Sequence, residues 1–404
     1  MLNMDEEPKD NPRPPKLLAQ AQVPFSGLPS ATNTLDIGNN YFKSATWTPD
    51  GTSLITNNAD NHIRTFIVPP DLLEPHDQPL QLTPFSTISS FEAVNALQCY
   101  PGYNLQDPAT CLVLSTASEH PIRLNSALTG QLVLSYPLVS PTTERYIKPQ
   151  SLLFTRDGSK FLAGSDSLLS IFDLSRQGEE RLSSFETGPR NSKASWSNPG
   201  TVLRGLVSAL DIDGQYNVLA AGTLSRQVGL YDAAGEGECI GVFTVAGTDA
   251  DASISGSGIT QVKWSRCGRY LYVAERKSDG VLVYDIRKTG QLLSWTTGRQ
   301  AVTNQRLGVD LVVDSTSGRE NIWGGGTDGM LRRWAAPHLS EGPIQPDWCS
   351  SMHPDHITSV GMHSTGSVVV TAAGSRSFSD LSADTNPLDI KLGGSRSLLK
   401  LWDV

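Results

Sequence analysis

Short apolar runs recur along the chain in one order: an apolar run, a turn ending in Gly, a second apolar run, a polar turn, and a third run ending in an aromatic residue. Residues 43–68 read KSATWTPDGTSLITNNADNHIRTFIV, and residues 151–174 read SLLFTRDGSKFLAGSDSLLSIFDL. Residues 206–232 (LVSALDIDGQYNVLAAGTLSRQVGLYD) and 259–286 (ITQVKWSRCGRYLYVAERKSDGVLVYDI) repeat the plan. Weaker copies lie around 94–136 and 307–334, and the last runs from ITSVGMHSTGSVVVTAAGSR to LLKLWDV. The runs are short and rich in β-branched and aromatic residues, with little helical periodicity, so they predict strands. The turn glycines fall at Gly51, Gly102, Gly158, Gly214, Gly268, Gly318 and Gly366, separated by 51, 56, 56, 54, 50 and 48 residues. Near-even spacing of this kind marks a repeat architecture.

A single four-stranded unit cannot bury both of its faces. Seven packed radially can, and this leaves only short protected edges. The expected fold is all-β, a seven-bladed WD-repeat β-propeller. Trp402–Asp403 is the WD dipeptide, and Phe172–Asp173, Tyr231–Asp232 and Tyr284–Asp285 hold its place elsewhere. The sequence stops just after the third strand of the seventh unit, so an N-terminal strand is expected to complete that blade. Residues 1–19 read as a disordered, acidic, proline-rich tail, and residues 20–28 (QAQVPFSGL) as the closing strand within a 20–404 propeller. Inserts at 70–91, 246–258 and 375–396 are expected as surface loops.

Composition narrows the function classes. The net charge is −9, so the chain is no uniformly basic nucleic-acid coat, and any such binding needs a local patch. The five cysteines are scattered and form no CxxC pair, which predicts reduced thiols. No apolar run is long enough to span a membrane. Cys349, His353, His356 and His363 have the residue types for zinc but no common ligand spacing. His356, just before a first strand, is instead expected to hydrogen-bond internally. GGGTDG and LGGSRS lack the following Lys-Ser/Thr of a phosphate loop. No constellation of acid, base and nucleophile is visible, so no enzyme, cofactor, metal or small-molecule substrate is expected.

The residues that remain are hydrogen-bond donors in loops. In a propeller blade, the turn between strands two and three opens on the same face as the connection to the next blade. That face receives His120, Arg226, Arg276, Lys277 and Arg376 from turns, and Trp196, Arg299, Asn304, Gln305 and Arg306 from connections. The last four come from GRQAVTNQR at 298–306. Arg, Asn and Gln read base edges, and aromatics stack on unpaired bases, each contributing roughly 1–3 kcal/mol. Loop Arg and Asn also commonly satisfy backbone carbonyls, so the face as a whole carries more weight than any one member.

The chain resembles the telomerase Cajal body protein family of WD-repeat proteins. The likeness runs through WTPDGTSLITNNADNHIR with PPDLL, EHPIRL with ALTGQL, SRQVGLY, ERKSDGVLVYDIRK, GRQAVTNQR, and VTAAGSRSF ahead of LKLWDV. What it implies is a non-catalytic RNA-binding scaffold in the nucleus, in Cajal bodies, acting on small nuclear or Cajal-body RNA and telomerase RNA together with RNP core proteins. Fungal relatives of the family imply the alternative of a protein-interaction platform in pre-mRNA splicing, with spliceosomal snRNP proteins as partners.

Overall fold

A computed structural model gives the architecture, and it describes residues 14–22, 40–176, 178, 181–188, 199–288, 290–315, 317–375 and 397–404. Seven antiparallel sheets form blades 1 to 7 of a propeller. Their innermost strands are Phe42–Trp47, Val94–Cys99, Ser151–Phe154, Val207–Ile212, Ile259–Trp264, Val309–Val313 and Ile357–Met362. The aromatic-Asp pairs sit on or at the end of third strands, with Phe172, Tyr231, Tyr284 and Trp402 buried between blades. The expected turn geometry holds at Gly51, Gly158, Gly268, Gly318 and Gly366, whose φ values lie between 67° and 79°; Gly102 and Gly214 do not share it.

Side chains at the inner ends of the strands stitch the ring together. Asn57 Nδ2 donates to Val94 O, Thr116 Oγ1 to Pro149 O, Ser151 Oγ to Val207 O, and Ser208 Oγ to Ile259 O. Gln261 exchanges two bonds with the Val309 backbone, Gly308 N donates to Thr358 O, and Ser359 Oγ donates to Ala45 O. Each of the seven blade junctions thus carries a directional bond besides its apolar packing. Side-chain donors of this kind are needed because carbonyls at blade ends have no strand partner there.

The N-terminus closes the ring, four residues earlier than expected. Lys16–Gln22, not 20–28, pairs antiparallel with Leu398–Asp403 as the fourth strand of blade 7. Leu18, Ala19 and Ala21 enter the core there, so residues 14–19 do not belong to a tail. Residues 1–13 and 23–39 lie outside the described residues.

The inserts are also more structured than expected. Residues 70–91 contain Ser86–Ser89, the outer strand of blade 1, and Leu80–Gln81, which runs back to pair parallel with the closing strand of blade 7. Blade 6 does the same: Gly342–Ile344 pairs parallel with Leu292–Thr296 of blade 5. The 246–258 segment holds a one-turn helix, Asp251–Ile254. Most of 375–396 lies outside the described residues. No helix among the described residues is long and apolar enough to cross a membrane.

The internal histidine of blade 7 is His353 rather than His356. Trp402 Nε1 donates to Thr371 Oγ1 at 2.8 Å, and that hydroxyl meets His353 Nε2 at 2.7 Å. Burial, reinforced by the Lys400 charge, pushes the imidazole down to about 3, so it is neutral at physiological pH.

Candidate functional site

The innermost strands enclose a central channel with a cavity volume of about 950 Å³. Its lining is unusually rich in amides: Asn57, Asn95, Gln98, Gln150, Gln261, Asn304 and Gln305. The segment Thr303–Gly308, which joins blades 5 and 6, projects into this lining. Its placement follows from local bonds. Lys277 N donates to Thr303 O, tying the segment to the blade 5 turn, and Gln305 Nε2 donates to Gly374 O of blade 7 at 2.9 Å.

Arg306 reaches across to blade 4, where its guanidinium donates to Ser208 O at 3.1 Å. The residue is exposed to the channel but ringed by protein. Desolvation, then the neighbouring Arg276 charge, lowers its pKa. Arg276 itself carries a buried Nε with no protein partner. Among the described residues no carboxylate ion-pairs with Arg276, Lys277 or Arg306. Two adjacent guanidinium groups without a counter-charge repel each other, by an amount set by local dielectric. The arrangement is therefore suited to an anion.

Three more polar atoms along the channel are buried and unpartnered: Asn57 Oδ1, Asn95 Nδ2 and His356 Nδ1. Buried polar groups ordinarily find partners, so such a cluster marks a place built to receive one. On the same face two aromatics face solvent, Phe91 at 95% and Tyr146 at 38% exposure, together with Val302 at 69%. The site thus combines amides that can read edges, paired guanidiniums that can hold phosphate or carboxylate, and flat apolar groups at the rim.

No family model matches the chain. Guanine nucleotide-binding protein negative regulator 1 of Schizosaccharomyces pombe is 30% identical over 307 residues, 75% of this chain and 72% of its own length. Telomerase Cajal body protein 1 of Homo sapiens is 27% identical over 378 residues, 90% of this chain, and the Mus musculus protein 27% over 361 residues, 87% of this chain. The chain belongs to the telomerase Cajal body protein family of WD-repeat proteins. It spans 61% and 63% of the length of the human and mouse members.

Within this family member, the face singled out from sequence resolves into two groups. Asn304, Gln305 and Arg306 line the channel, and Arg276 and Lys277 stand beside them on the blade 5 turn, outside the lining itself. Arg299 and Arg226 do not serve there. Arg299 is 1% exposed; its Nε donates to Gly325 O and one terminal nitrogen donates to Leu307 O and Gly308 O. Burial lowers its pKa to about 10, against the opposing charge of Asp279, and no face of the guanidinium is left for a ligand. Arg226 is held bidentate by Asp251 and by Glu275, which is buried. His120 stands on the blade 2 turn and is not part of the channel lining. Trp196 and Arg376 lie outside the described residues.

The face also carries acidic groups. Asp60, Asp251, Asp279 and Asp328 share it. Asp60 holds Arg64, Asp328 holds Arg332, and Asp279 accepts the backbone N–H groups of Gly298 and Gln300. These aspartates are consumed as turn anchors, so the positive charge concentrates at the channel mouth. Of the channel amides, Asn304 and Gln305 were singled out from sequence, and Asn57, Asn95, Gln98, Gln150 and Gln261 were not. A signal exists only where an amide lies on an innermost strand, Asn95 and Gln98 in VNALQC and Gln261 in ITQVKW.

Proposed function

We propose that this protein is a non-catalytic RNA-binding scaffold of small nuclear or Cajal-body ribonucleoproteins, and that the channel mouth grips the RNA. The observation that carries the reading is the Arg276–Arg306 pair, two guanidiniums with no carboxylate partner among the described residues, beside a channel lined with amides. A phosphate would relieve their repulsion, and the amides offer donors and acceptors to unpaired base edges. Phe91 and Tyr146 supply stacking surfaces at the rim. The names of the mammalian relatives, which place those proteins with telomerase and the Cajal body, support telomerase RNA or Cajal-body RNA as ligands and a nuclear location.

The test is a double substitution of Asn304 and Arg306 to Ala. Affinity for a structured small nuclear RNA should fall at least tenfold, while the thermal unfolding temperature changes little. Unchanged affinity would remove the channel mouth from RNA binding.

The second reading is a protein-interaction platform without RNA contact, tied to splicing RNPs or other partners. It is favoured by the name of the S. pombe relative, a negative regulator of a guanine nucleotide-binding protein, and by exposed Val302 and Phe91 on the same face. Under that reading the double variant loses a protein partner and leaves RNA affinity unaltered.

A further inference from the structure

A second cleft opens between blades 1 and 2, separate from the channel but meeting it at Val94. Its cavity volume is about 250 Å³. Ile63, Ile88, Val94 and Leu132 form its walls, and Arg123 and Asn125 project into it from the third strand of blade 2. Alternation along that strand explains the placement. Ile122 and Leu124 pack into the core shared with blade 3, so Arg123 and Asn125 must face blade 1.

Neither polar group is accounted for by the fold. Among the described residues, Arg123 makes no ion pair or side-chain hydrogen bond. Asn125 is 6% exposed, and its amide donates to Gly130 O at 3.1 Å, but its Oδ1 is buried without a partner. A cation without an acid and a buried acceptor without a donor, framed by aliphatic walls, describe a ligand. It must bring a negative group, an N–H, and aliphatic bulk, in a volume suited to about two side chains.

We propose that this cleft docks an extended peptide of a partner protein, with an acidic side chain on Arg123, a backbone N–H on Asn125 Oδ1, and a neighbouring aliphatic side chain between Ile88 and Leu132. RNA suits it poorly. No aromatic lines the cleft for stacking, and a single guanidinium between aliphatic walls gives phosphate little to hold. Exposed Leu132 (57%) and Val133 (44%) on the outer strand of blade 2 would be covered by the arriving chain. The proposal is independent of RNA binding at the channel mouth.

The test uses the full chain and a phage-displayed random heptapeptide library, selected in parallel on the wild type, Arg123→Gln and Leu132→Glu. Both substituted side chains reach solvent and neither bonds within the fold, so unfolding temperatures should match the wild type. The expected result is a consensus with Asp or Glu beside Leu, Ile or Val. A synthetic peptide of that consensus should bind the wild type at least tenfold more tightly than either variant, and its Asn or Gln isostere should lose the same factor. Leu132→Glu acts by placing a carboxylate beside Arg123. No acidic consensus, equal binding to all three proteins, or displacement of the peptide by an oligouridylate would overturn the proposal. If only Arg123→Gln misfolds, Leu132→Glu and the isostere decide the outcome alone.

Discussion

Two arginines of one nonapeptide, GRQAVTNQR, have opposite fates, and single residues elsewhere decide which. Arg299 can sink into the wall because Gly324 and Gly326 leave room, while Gly325 makes room for Ile357. A Cβ at Gly324 would lie 3.3 Å from Arg299 Nε, and one at Gly326 would collide with the Arg299 carbonyl. The glycine run therefore has a packing role that no reading of GGGTDG as a loop motif supplies. Arg299→Ala should strip donors from three carbonyls, each costing about 1–3 kcal/mol when buried. The expected loss is at least about 3 kcal/mol in denaturant unfolding, whereas Asn304→Ala, on an exposed residue, should stay within about 0.5 kcal/mol. Equal effects would mean that the whole loop is scaffold. From sequence the two cannot be separated, because burial of Arg299 depends on glycines in another blade.

His353 carries a pH prediction at the same scale. Its pKa is lowered from the ordinary 6.5 to about 3 by burial and then by Lys400. The unfolded chain thus binds the proton more readily than the native one between those values. Stability from this residue is complete above about pH 6.5 and is lost as pH falls. Other groups titrate in the window; Asp211, for example, is raised to about 6 by desolvation, so only a difference between proteins is diagnostic. His353→Gln should be less stable than the wild type at pH 7. The gap should narrow by on the order of 2 kcal/mol by pH 4.5. A gap that stays constant would show that the ring does not remain neutral inside blade 7.

At the scale of elements, the repeat was legible because most blades bury an aromatic on the third strand, though blade 2 (IRLNS) does not, and turn sharply after the first. Those two demands fix residue types at fixed spacing. The closing strand was not legible in the same way. QAQVPFSGL looks the more apolar candidate, yet Pro24 lacks the N–H a ladder requires. The actual strand, KLLAQAQ, uses small alanines, since Ala19 and Ala21 pack against the tight core of blade 7. This strand is held by pairing and by the packing of Leu17, Leu18, Ala19 and Ala21, and it is far in sequence from the strand it completes. Deleting residues 1–22 should leave Leu398–Asp403 as an unpaired apolar edge, a template for aggregation. A synthetic KLLAQAQ peptide added in trans should restore cooperative unfolding and monomeric behaviour in light scattering. A truncated chain that unfolds as the wild type does would show that ring closure contributes nothing.

For the whole molecule, the question raised by the proposed function is how a chain of net charge −9 would hold a polyanion. Long-range attraction cannot do it, because charges beyond about 8–10 Å are screened at physiological ionic strength. The fold pairs Arg226, Arg64 and Arg332 with carboxylates, while among the described residues no carboxylate pairs with Arg276, Lys277 or Arg306. If these three contact phosphates of an unpaired strand, log affinity should fall with log salt at a slope of about −2, at roughly −0.7 per contact. Replacing Arg276 and Arg306 with Gln should flatten the slope to about −0.7 and leave a residual affinity from amides and stacking. The same titration separates the two functional readings. A peptide held by Val302, Phe91 and neighbouring apolar groups would bind with little salt dependence, and the double variant would then lower affinity without changing the slope. A steep slope that survives both substitutions would place the phosphate contacts elsewhere on the ring, with Arg145, Lys148 and Arg204, exposed on the same face, as the next residues to replace.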